Sequence, residues 1–158
     1  MTESRRIFTV PSIFFAVALA LGSPGCSASV EEEDDRAIKA IEALGGKVVR
    51  DENVPGRPVT SVEFAKVTDA GLKQVARLKR VTSITLAGTE VSDAGLKELA
   101  GLRRLRSLDL TGTPVTDAGL TELKAVKNLH RLIVTDTKTT DAGVAELEKA
   151  LPYCMIQR

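Results

Sequence analysis

Four aspartates recur at intervals of 24 residues in this chain of 158 residues, at positions 69, 93, 117 and 141. Carboxylates in such a set can bind Ca²⁺ or act as general acids and bases. Either task requires several carboxylates to converge on one point, whereas these four stand one repeat apart at separate helix starts. We therefore predict that Asp69, Asp93, Asp117 and Asp141 support helix starts and form neither a metal site nor a catalytic site.

The remaining reactive residue types are sparse. His130 is the only histidine, and no cysteine or second histidine lies near it in the sequence to complete a metal-binding set. The sequence also lacks a phosphate-binding glycine loop, a G-x-S-x-G serine motif and a paired-cysteine motif. It therefore predicts no catalytic residue, no metal and no cofactor, and we expect a protein that is not an enzyme.

Each aspartate lies inside a longer motif that repeats in phase. The segment Val67-Thr68-Asp69-Ala70-Gly71-Leu72 returns at residues 91–96 and 115–120, and with small changes at 139–144. Between these segments, residues 81–86, 105–110 and 129–134 carry apolar side chains spaced as L-x-x-L-x-L. A fixed period of this length indicates a repeat architecture, in which each unit buries its apolar face against the next.

Two local periods within one repeat indicate its elements. Apolar and polar residues alternate from Ser83 to Leu86, which predicts a strand with one buried face. Apolar residues fall three apart from Leu96 to Leu102, which predicts a helix. Stacked copies predict an α/β solenoid, with a parallel sheet on the concave face and helices on the convex face.

The recurring small and polar residues have predicted structural roles in this solenoid. Thr68 and its equivalents, or the aspartate after each, stand where a helix needs an N-cap. The glycines of the motif allow close packing of neighbouring helices, since they lack a Cβ atom; they are Gly71, Gly95, Gly119 and Gly143. The turn threonines Thr89, Thr113 and Thr137 are predicted to form a ladder that satisfies backbone groups.

These motifs resemble the leucine-rich-repeat superfamily, and within it the bacterial type L-x-x-L-x-L-x-G-T-x-V-T-D-A-G-L. That type is similar to the cysteine-containing repeats of F-box adaptor proteins, with Gly-Thr in place of the Asn/Cys turn. The resemblance covers residues 59–158 and, more weakly, 36–58. It implies a right-handed solenoid that binds a protein partner through its concave strands and has no enzyme activity. It implies no particular ligand, and the sequence shows no F-box.

The N-terminus has the pattern of an export signal. Arg5 and Arg6 precede an apolar run over residues 7–21, and small residues follow up to Cys26. This order predicts a signal peptide over residues 1–25, and the run is too short for a comfortable membrane span. Paired arginines also occur in twin-arginine signals, so the sequence leaves the choice between the two export routes open.

Cys26 has two possible fates. It resembles the cysteine of a bacterial lipoprotein cleavage site, which would become the lipidated first residue of the mature chain and anchor it to a membrane. Ordinary cleavage after Ala28 would instead remove Cys26. In either case Cys154 has no cysteine to pair with, and we predict that it is a small buried apolar residue. We expect an exported protein of the cell envelope, either membrane-anchored or periplasmic or secreted.

Charge divides the chain unevenly. The whole sequence has a formal net charge of +1, but residues 31–35 are five consecutive acids. We predict an acidic tether over residues 26–35, an N-terminal cap over 36–58 and the solenoid with a C-terminal half-repeat over 59–158. From Arg36 onward the chain has 20 basic and 15 acidic side chains, a net charge of +5.

The ends of the solenoid depart from the repeat. The sequence predicts a helix with an apolar face at Ile38, Ile41 and Leu44, then a strand over residues 47–50 and a turn at Pro55-Gly56. Asp69 follows Phe64 by five residues instead of seven, which predicts a shortened turn in the first repeat. Residues 153–156 are predicted to add a half-repeat that covers the core edge.

The alternation of the strands predicts which side chains line the concave face. We select Glu63, Thr85, Arg106, Asp109, Arg131 and Ile133 as candidate binding residues. Five basic residues, Lys79, Arg80, Arg103, Arg104 and Lys127, recur after the helices and are predicted to complement the helix dipoles. The alternative is a structural envelope protein that uses them as a basic edge against a membrane or a cell-wall polymer.

Composition excludes several binding functions. Aromatic residues are 3% of the chain and tryptophan is absent. Stacking platforms for sugars or single-stranded nucleic acid are therefore excluded, and the near-neutral total charge argues against nucleic acid as a partner. The sequence favours a binding module for another protein of unknown identity, and leaves the oligomeric state open.

Overall fold

A computed structural model of the chain describes residues 28–54 and 58–158. The helices are α1 (Ala28–Ala43), α2 (Asp69–Val75), α3 (Asp93–Leu99), α4 (Asp117–Leu123) and α5 (Asp141–Ala150). The strands are β1 (Gly46–Arg50), β2 (Val59–Phe64), β3 (Ser83–Thr85), β4 (Ser107–Asp109), β5 (Arg131–Ile133) and β6 (Met155–Gln157). The predicted signal peptide, Cys26 and the predicted turn at Pro55-Gly56 lie outside the described residues.

The strands form one sheet in chain order, from β1 to β6. Strands β2 to β6 are parallel, and their register advances by one period, so that Ile84 pairs with Leu108 and Leu108 with Leu132. Strand β1 is antiparallel to β2 and closes the N-terminal edge. The structure confirms the predicted α/β solenoid, with the parallel sheet on the concave face and the helices on the convex face.

The core is a stack of apolar side chains between the sheet and the helices. Leu86, Leu96, Leu108 and Leu120 are at most 1% exposed. Fully burying a leucine side chain contributes about 2 kcal/mol. The repeat offers slots for aliphatic side chains at fixed positions, and this accounts for the scarcity of aromatic residues.

The turns after β3, β4 and β5 contain the predicted threonine ladder. Each threonine hydroxyl donates to the carbonyl oxygen three residues earlier at 2.7 Å, in Thr89, Thr113 and Thr137. The residue before each threonine has a positive φ: 68° at Gly88, 67° at Gly112 and 54° at Asp136. Glycine adopts this conformation without steric cost, and aspartate is among the residues that tolerate it.

The acidic run is part of helix α1, which begins at Ala28. Residues 28–35 of the predicted tether are therefore helical, and the role of residues 26–35 as a tether stays a prediction. Glutamate is a good helix former, and acidic residues in the first turns complement the positive end of the helix dipole. At the end of the run, Asp35 Oδ1 lies 3.4 Å from Arg50 Nη2, so the run also contacts β1.

The N-terminal cap matches the predicted helix face in part. Ile38 and Ile41 are buried, whereas Leu44 is 45% exposed. Leu44 was predicted on the same apolar face, but α1 ends one residue before it, and Gly45 then turns the chain with a φ of 77°. The chain therefore leaves the helical path before Leu44 can pack into the core.

The predicted shortening of the first turn has a visible consequence. Phe64 is buried, and its strand is in register with β3 through the Val62–Ile84 pair. Two residues fewer follow before α2, and a cavity of about 410 Å³ lies at this point. Its lining residues are Leu44, Lys66, Val67, Thr68, Gly88, Thr89 and Glu90.

The C-terminal half-repeat is present as β6, which pairs with β5 so that Ile156 stands beside Leu132. Ile156 is partly buried against the core, as predicted. Tyr153 and Met155 are 89% and 73% exposed, so the prediction that the whole segment covers the core edge is wrong for them. Alternation along β6 directs Ile156 inward and Met155 outward, whereas Tyr153 lies in the turn before the strand.

Cys154 packs against the core but is only half-buried, so the prediction of a buried residue is confirmed in part. Its burial raises the pKa of the thiol above its ordinary value. No helix among residues 28–54 and 58–158 has both the length and the apolar character that crossing a membrane requires.

Candidate binding surface

The repeated aspartates connect each repeat to the next. Asp93 Oδ1 accepts a hydrogen bond from the backbone N–H of Thr116 at 2.8 Å, and Asp93 Oδ2 accepts one from the Thr116 hydroxyl at 2.6 Å. The same pair of bonds joins Asp69 to Ser92 and Asp117 to Thr140. We call these three pairs the aspartate ladder. Each carboxylate thus has two donors from the following repeat.

The helix caps are the serine and the threonines, and this refines the prediction. Ser92 Oγ and Thr116 Oγ1 each accept from the backbone N–H two residues later at 3.3 Å, and Thr140 Oγ1 accepts from Gly143 N at 3.2 Å. Thr68 stands in the same position without a side-chain cap. The aspartates are the first helical residues, and they bind the next N-cap residue instead of capping their own helix.

The aspartate ladder explains why glycine recurs at positions 95, 119 and 143. A Cβ atom on Gly119 would collide with Asp93 Oδ1 and would lie 2.9 Å from Leu96 Cδ1. Gly95 and Gly143 have the same relation to the preceding aspartate. The structure therefore confirms that these glycines allow close approach, and it identifies the ladder carboxylate as the group that needs the space.

The last aspartates of the column differ in their surroundings. Hydrogen bonds from the Thr140 hydroxyl and backbone N–H lower the pKa of Asp117 below its ordinary value, with a smaller contribution from the charge of Arg158. The carboxylate of Asp141 instead forms an ion pair with Arg158. Among the described residues, no three His, Cys, Asp or Glu side chains are grouped so that they could hold a metal ion.

Four of the six candidate binding residues form one column across the concave sheet. Glu63 pairs with Thr85, Thr85 with Asp109, and Asp109 with Ile133. Asp109 is also engaged locally, because its Oδ1 accepts from the backbone N–H of Thr111 at 2.9 Å and from the Thr111 hydroxyl at 2.6 Å. Asp109 thus helps to hold the turn after β4.

The neighbouring column changes character along the solenoid. Its N-terminal members are three half-buried serines, at positions 61, 83 and 107. Arg131 and Met155 follow in register, and both are exposed. The large exposed side chains of this column, one charged and one apolar, therefore lie on β5 and β6, the last two strands of the concave face.

Sequence reasoning missed the C-terminal end as part of this surface. Met155 occupies the Arg131 column one period later, and this register could have identified it. Tyr153, just before β6, lines a cavity of about 400 Å³. The other lining residues are Lys127, Asn128, Leu129, His130, Ala150, Leu151 and Pro152. An exposed aromatic side chain thus stands in the turn before the last strand.

Arg106 lies apart from the concave columns. It immediately precedes β4, and it lines a cavity of about 300 Å³ together with Thr82, Arg103, Arg104, Asn128 and His130. His130 Nδ1 lies 2.6 Å from the carbonyl oxygen of Asn128. Because a carbonyl oxygen can only accept, this bond places a proton on Nδ1 and leaves Nε2 available.

The five recurrent basic residues lie in turns, four to five residues after the helices end at Val75, Leu99 and Leu123. Lys79 Nζ donates to the carbonyl oxygen of Ala76 at 2.6 Å, in agreement with the predicted dipole role. The side chains of the other four make no hydrogen bond or ion pair with the described residues. An interaction with the negative end of a helix dipole therefore accounts for only one of the five basic residues, Lys79.

Residues 102–124 match the family model described as Leucine Rich repeat. The match spans 23 residues, close to one repeat of the solenoid. A comparison with curated proteins found no match.

Several solved structures resemble the chain at low sequence identity. The Mex67:Mtr2 subunits of Chaetomium give a TM-score of 0.49 at 17% identity, over 61% of this chain and 78% of that one. An LRR protein of Leptospira interrogans gives 0.41 at 21% identity, over 54% of this chain and 27% of that one. The LRR ectodomain of the receptor kinase SOBIR1 from Arabidopsis thaliana gives 0.41 at 15% identity, over 80% and 96%. The chain thus spans about a quarter of the Leptospira protein.

The family match falls on α4 and the turns that flank β4, and the same register continues on both sides of it. The sheet, the helix layer and the threonine ladder repeat with the same period. The chain therefore matches a leucine-rich repeat over residues 102–124, and the neighbouring units continue the same period.

Proposed function

We propose that the chain is a non-enzymatic module that binds another protein through the C-terminal half of its concave face. The observation that carries this proposal is the exposed pair Arg131 and Met155, which stand side by side on β5 and β6. Ile133 lies on the same face, and Tyr153 is exposed at the end of the sheet. Arginine, tyrosine and methionine are enriched in protein interfaces, and arginine and tyrosine in their hot spots.

The rigidity of this surface also supports the proposal. Strands β5 and β6 are fixed by the solenoid on one side, and Ile156 is partly buried beneath them. A partner would therefore meet side chains on a preformed backbone, which lowers the entropy lost on binding. The carboxylates that resembled a reactive set are occupied in the aspartate ladder, so the repeat column has a structural role.

Site-specific photocrosslinking in the cells that produce the protein tests this function. A photoreactive residue at Arg131 or Met155 should give an adduct of defined mass, whereas one at Lys73 or Lys97 should not. The two lysines are matched controls because they are exposed on helices of the convex side. Equal adducts from both faces, or adducts from the helices alone, would contradict a concave binding surface.

We further propose that the module is displayed in the cell envelope and is anchored through lipidated Cys26. The charged, apolar and small residues before Cys26 support this part of the proposal. Cys26→Ser should remove the lipid-modified mass and the protein from the membrane fraction, and Cys154→Ser should leave both unchanged. If the Cys26→Ser chain stays in the membrane fraction, lipidation is wrong.

A further inference from the structure

Three turns of the solenoid carry a concentrated positive charge. Residues 79–82, 103–106 and 127–130 contain six lysine and arginine side chains and no acidic side chain. Each segment leads into the next strand of the parallel sheet, so the three lie side by side on one edge of the molecule. Adjacent strands of a sheet are about 4.8 Å apart, and the charges of neighbouring turns are therefore close. We call these segments the basic turns.

Hydrogen bonds between successive repeats fix the backbone of the basic turns. Arg106 N donates to the carbonyl oxygen of Thr82 at 2.8 Å, and His130 N donates to that of Arg106 at 2.8 Å. The Asn128 side-chain amide donates to the carbonyl oxygen of Arg103 at 2.6 Å. The side chains that line the cavity of about 300 Å³ thus start from a rigid scaffold, which favours a preorganised site.

The arginines of this cavity have no carboxylate counter-charge among the residues that the structure describes. Arg103, Arg104 and Arg106 are exposed, and none forms an ion pair with a carboxylate in the described part of the chain. Three guanidinium groups at one cavity repel one another, and a bound anion would relieve this repulsion. The contrast with the aspartate ladder is direct, since every ladder carboxylate has its donors within the fold.

We propose that this cavity binds a phosphate group, carried by a small phosphate ester or by a lipid headgroup. The forked guanidinium of arginine matches the oxygens of phosphate, and three positive charges suit a dianion better than a single carboxylate. A volume of about 300 Å³ is at the lower end of small-molecule sites. This site adjoins the proposed protein-binding surface, because Asn128 and His130 also line the cavity beside Tyr153.

Nuclear magnetic resonance of the full-length chain in zwitterionic micelles tests the proposal with inorganic phosphate as probe. The amide signals of residues 103–106 and 128–130 should shift with phosphate and not with chloride at equal ionic strength. The double variant Arg104→Gln/Arg106→Gln should weaken the apparent affinity at least about tenfold, because it removes two charge-assisted contacts. The matched control is Arg77→Gln/Lys97→Gln, which removes the same charge away from the cavity.

A second arm distinguishes the two sources of phosphate. The same chain is reconstituted in phosphatidylcholine vesicles with and without phosphatidic acid, a lipid whose headgroup is a phosphate monoester, and hydrogen exchange of the same amides is measured. Shifts with inorganic phosphate that the double variant loses support a small phosphate ester. Protection only with phosphatidic acid, also lost in the double variant, supports a lipid headgroup. No response in either arm, or equal loss in the matched control, overturns the proposal.

Discussion

The aspartate ladder and the basic turns both repeat every 24 residues, but they differ in where their partners are. Each ladder carboxylate accepts two hydrogen bonds from the next repeat, as Asp93 does from Thr116. The arginines of the basic turns have no such partner among the described residues. A charged column is therefore structural when the following repeat supplies its partner, and is available to a ligand when it does not.

The largest effect is expected when one rung of the ladder is removed. Asp93→Ala removes both carboxylate oxygens, so the backbone N–H and the hydroxyl of Thr116 lose their acceptors. Hydrogen bonds to charged groups contribute about 1.5–3 kcal/mol each, so we expect a loss of about 3 kcal/mol for two partly exposed bonds. Urea unfolding of wild type and variant measures it.

Asp141 provides a matched control for this prediction. It occupies the same position in the motif, but no N-cap residue among the described residues donates to it, and its side chain is 92% exposed. Asp141→Ala should cost about 0.5 kcal/mol or less, which is typical of an exposed ion pair. If both variants lose the same free energy of unfolding, the ladder does not stabilise the solenoid.

The next largest loss in the free energy of unfolding is expected when a substitution introduces a methyl group beside the ladder. Gly119→Ala places a Cβ atom against Asp93 Oδ1 and Leu96 Cδ1, so either the carboxylate moves or the helices separate. Overpacking of this kind costs about 1–3 kcal/mol, and we expect about 2 kcal/mol by urea unfolding. Gly101→Ala is the control, because the nearest atom to its Cβ would be Lys79 Nζ at 3.9 Å. Equal losses would contradict the tight contact.

Protonation of the ladder gives a smaller effect that depends on pH. The pKa of Asp117 is lowered in the folded chain, first by the Thr140 hydroxyl and then by the Thr140 N–H. Its stabilisation is therefore complete above the unfolded-state pKa and is lost as the pH falls through the lower folded-state value. Thr140→Val should raise the pKa of Asp117 toward the ordinary value, as carbon-detected titration of the carboxyl group measures. An unchanged pKa would show that the rung does not form in solution.

The smallest effect on stability is expected at the basic turns. Arg104→Gln/Arg106→Gln removes side chains that make no hydrogen bond or ion pair with the described residues. We therefore expect the free energy of unfolding to change by no more than about 0.5 kcal/mol, as for most surface substitutions. A loss above about 2 kcal/mol in urea unfolding would mean that these arginines hold the fold together and that the comparison is wrong.

The repeat made the solenoid predictable. Its period placed Ile84, Leu108 and Leu132 in one row, and the structure has them in register. The turn threonines were predictable for the same reason, because a buried hydroxyl after a tight turn needs a nearby carbonyl. A property that recurs in every unit can be inferred from any one unit, and the structure confirms it in the others.

Relations between repeats were harder to predict. The sequence placed Asp69 and Ser92 at two helix starts, but the bond that crosses from one to the other depends on how closely the helices stack. The cavity of the basic turns likewise joins Arg106 of one turn to Asn128 and His130 of the next. The exposure of Tyr153 depends on the conformation of the turn before β6, and the spacing of residues in the sequence does not determine that conformation.

Thermal unfolding of the full-length chain with and without inorganic phosphate tests most directly whether the aspartate ladder is structural and the basic turns bind a ligand. Asp93→Asn should lower the unfolding midpoint and still be stabilised by phosphate, since a ligand that binds only the folded state raises its stability. Arg106→Gln should keep the wild-type midpoint and lose most of the stabilisation by phosphate. The opposite pattern, in which Arg106→Gln unfolds early or Asp93→Asn loses the response to phosphate, would contradict the account.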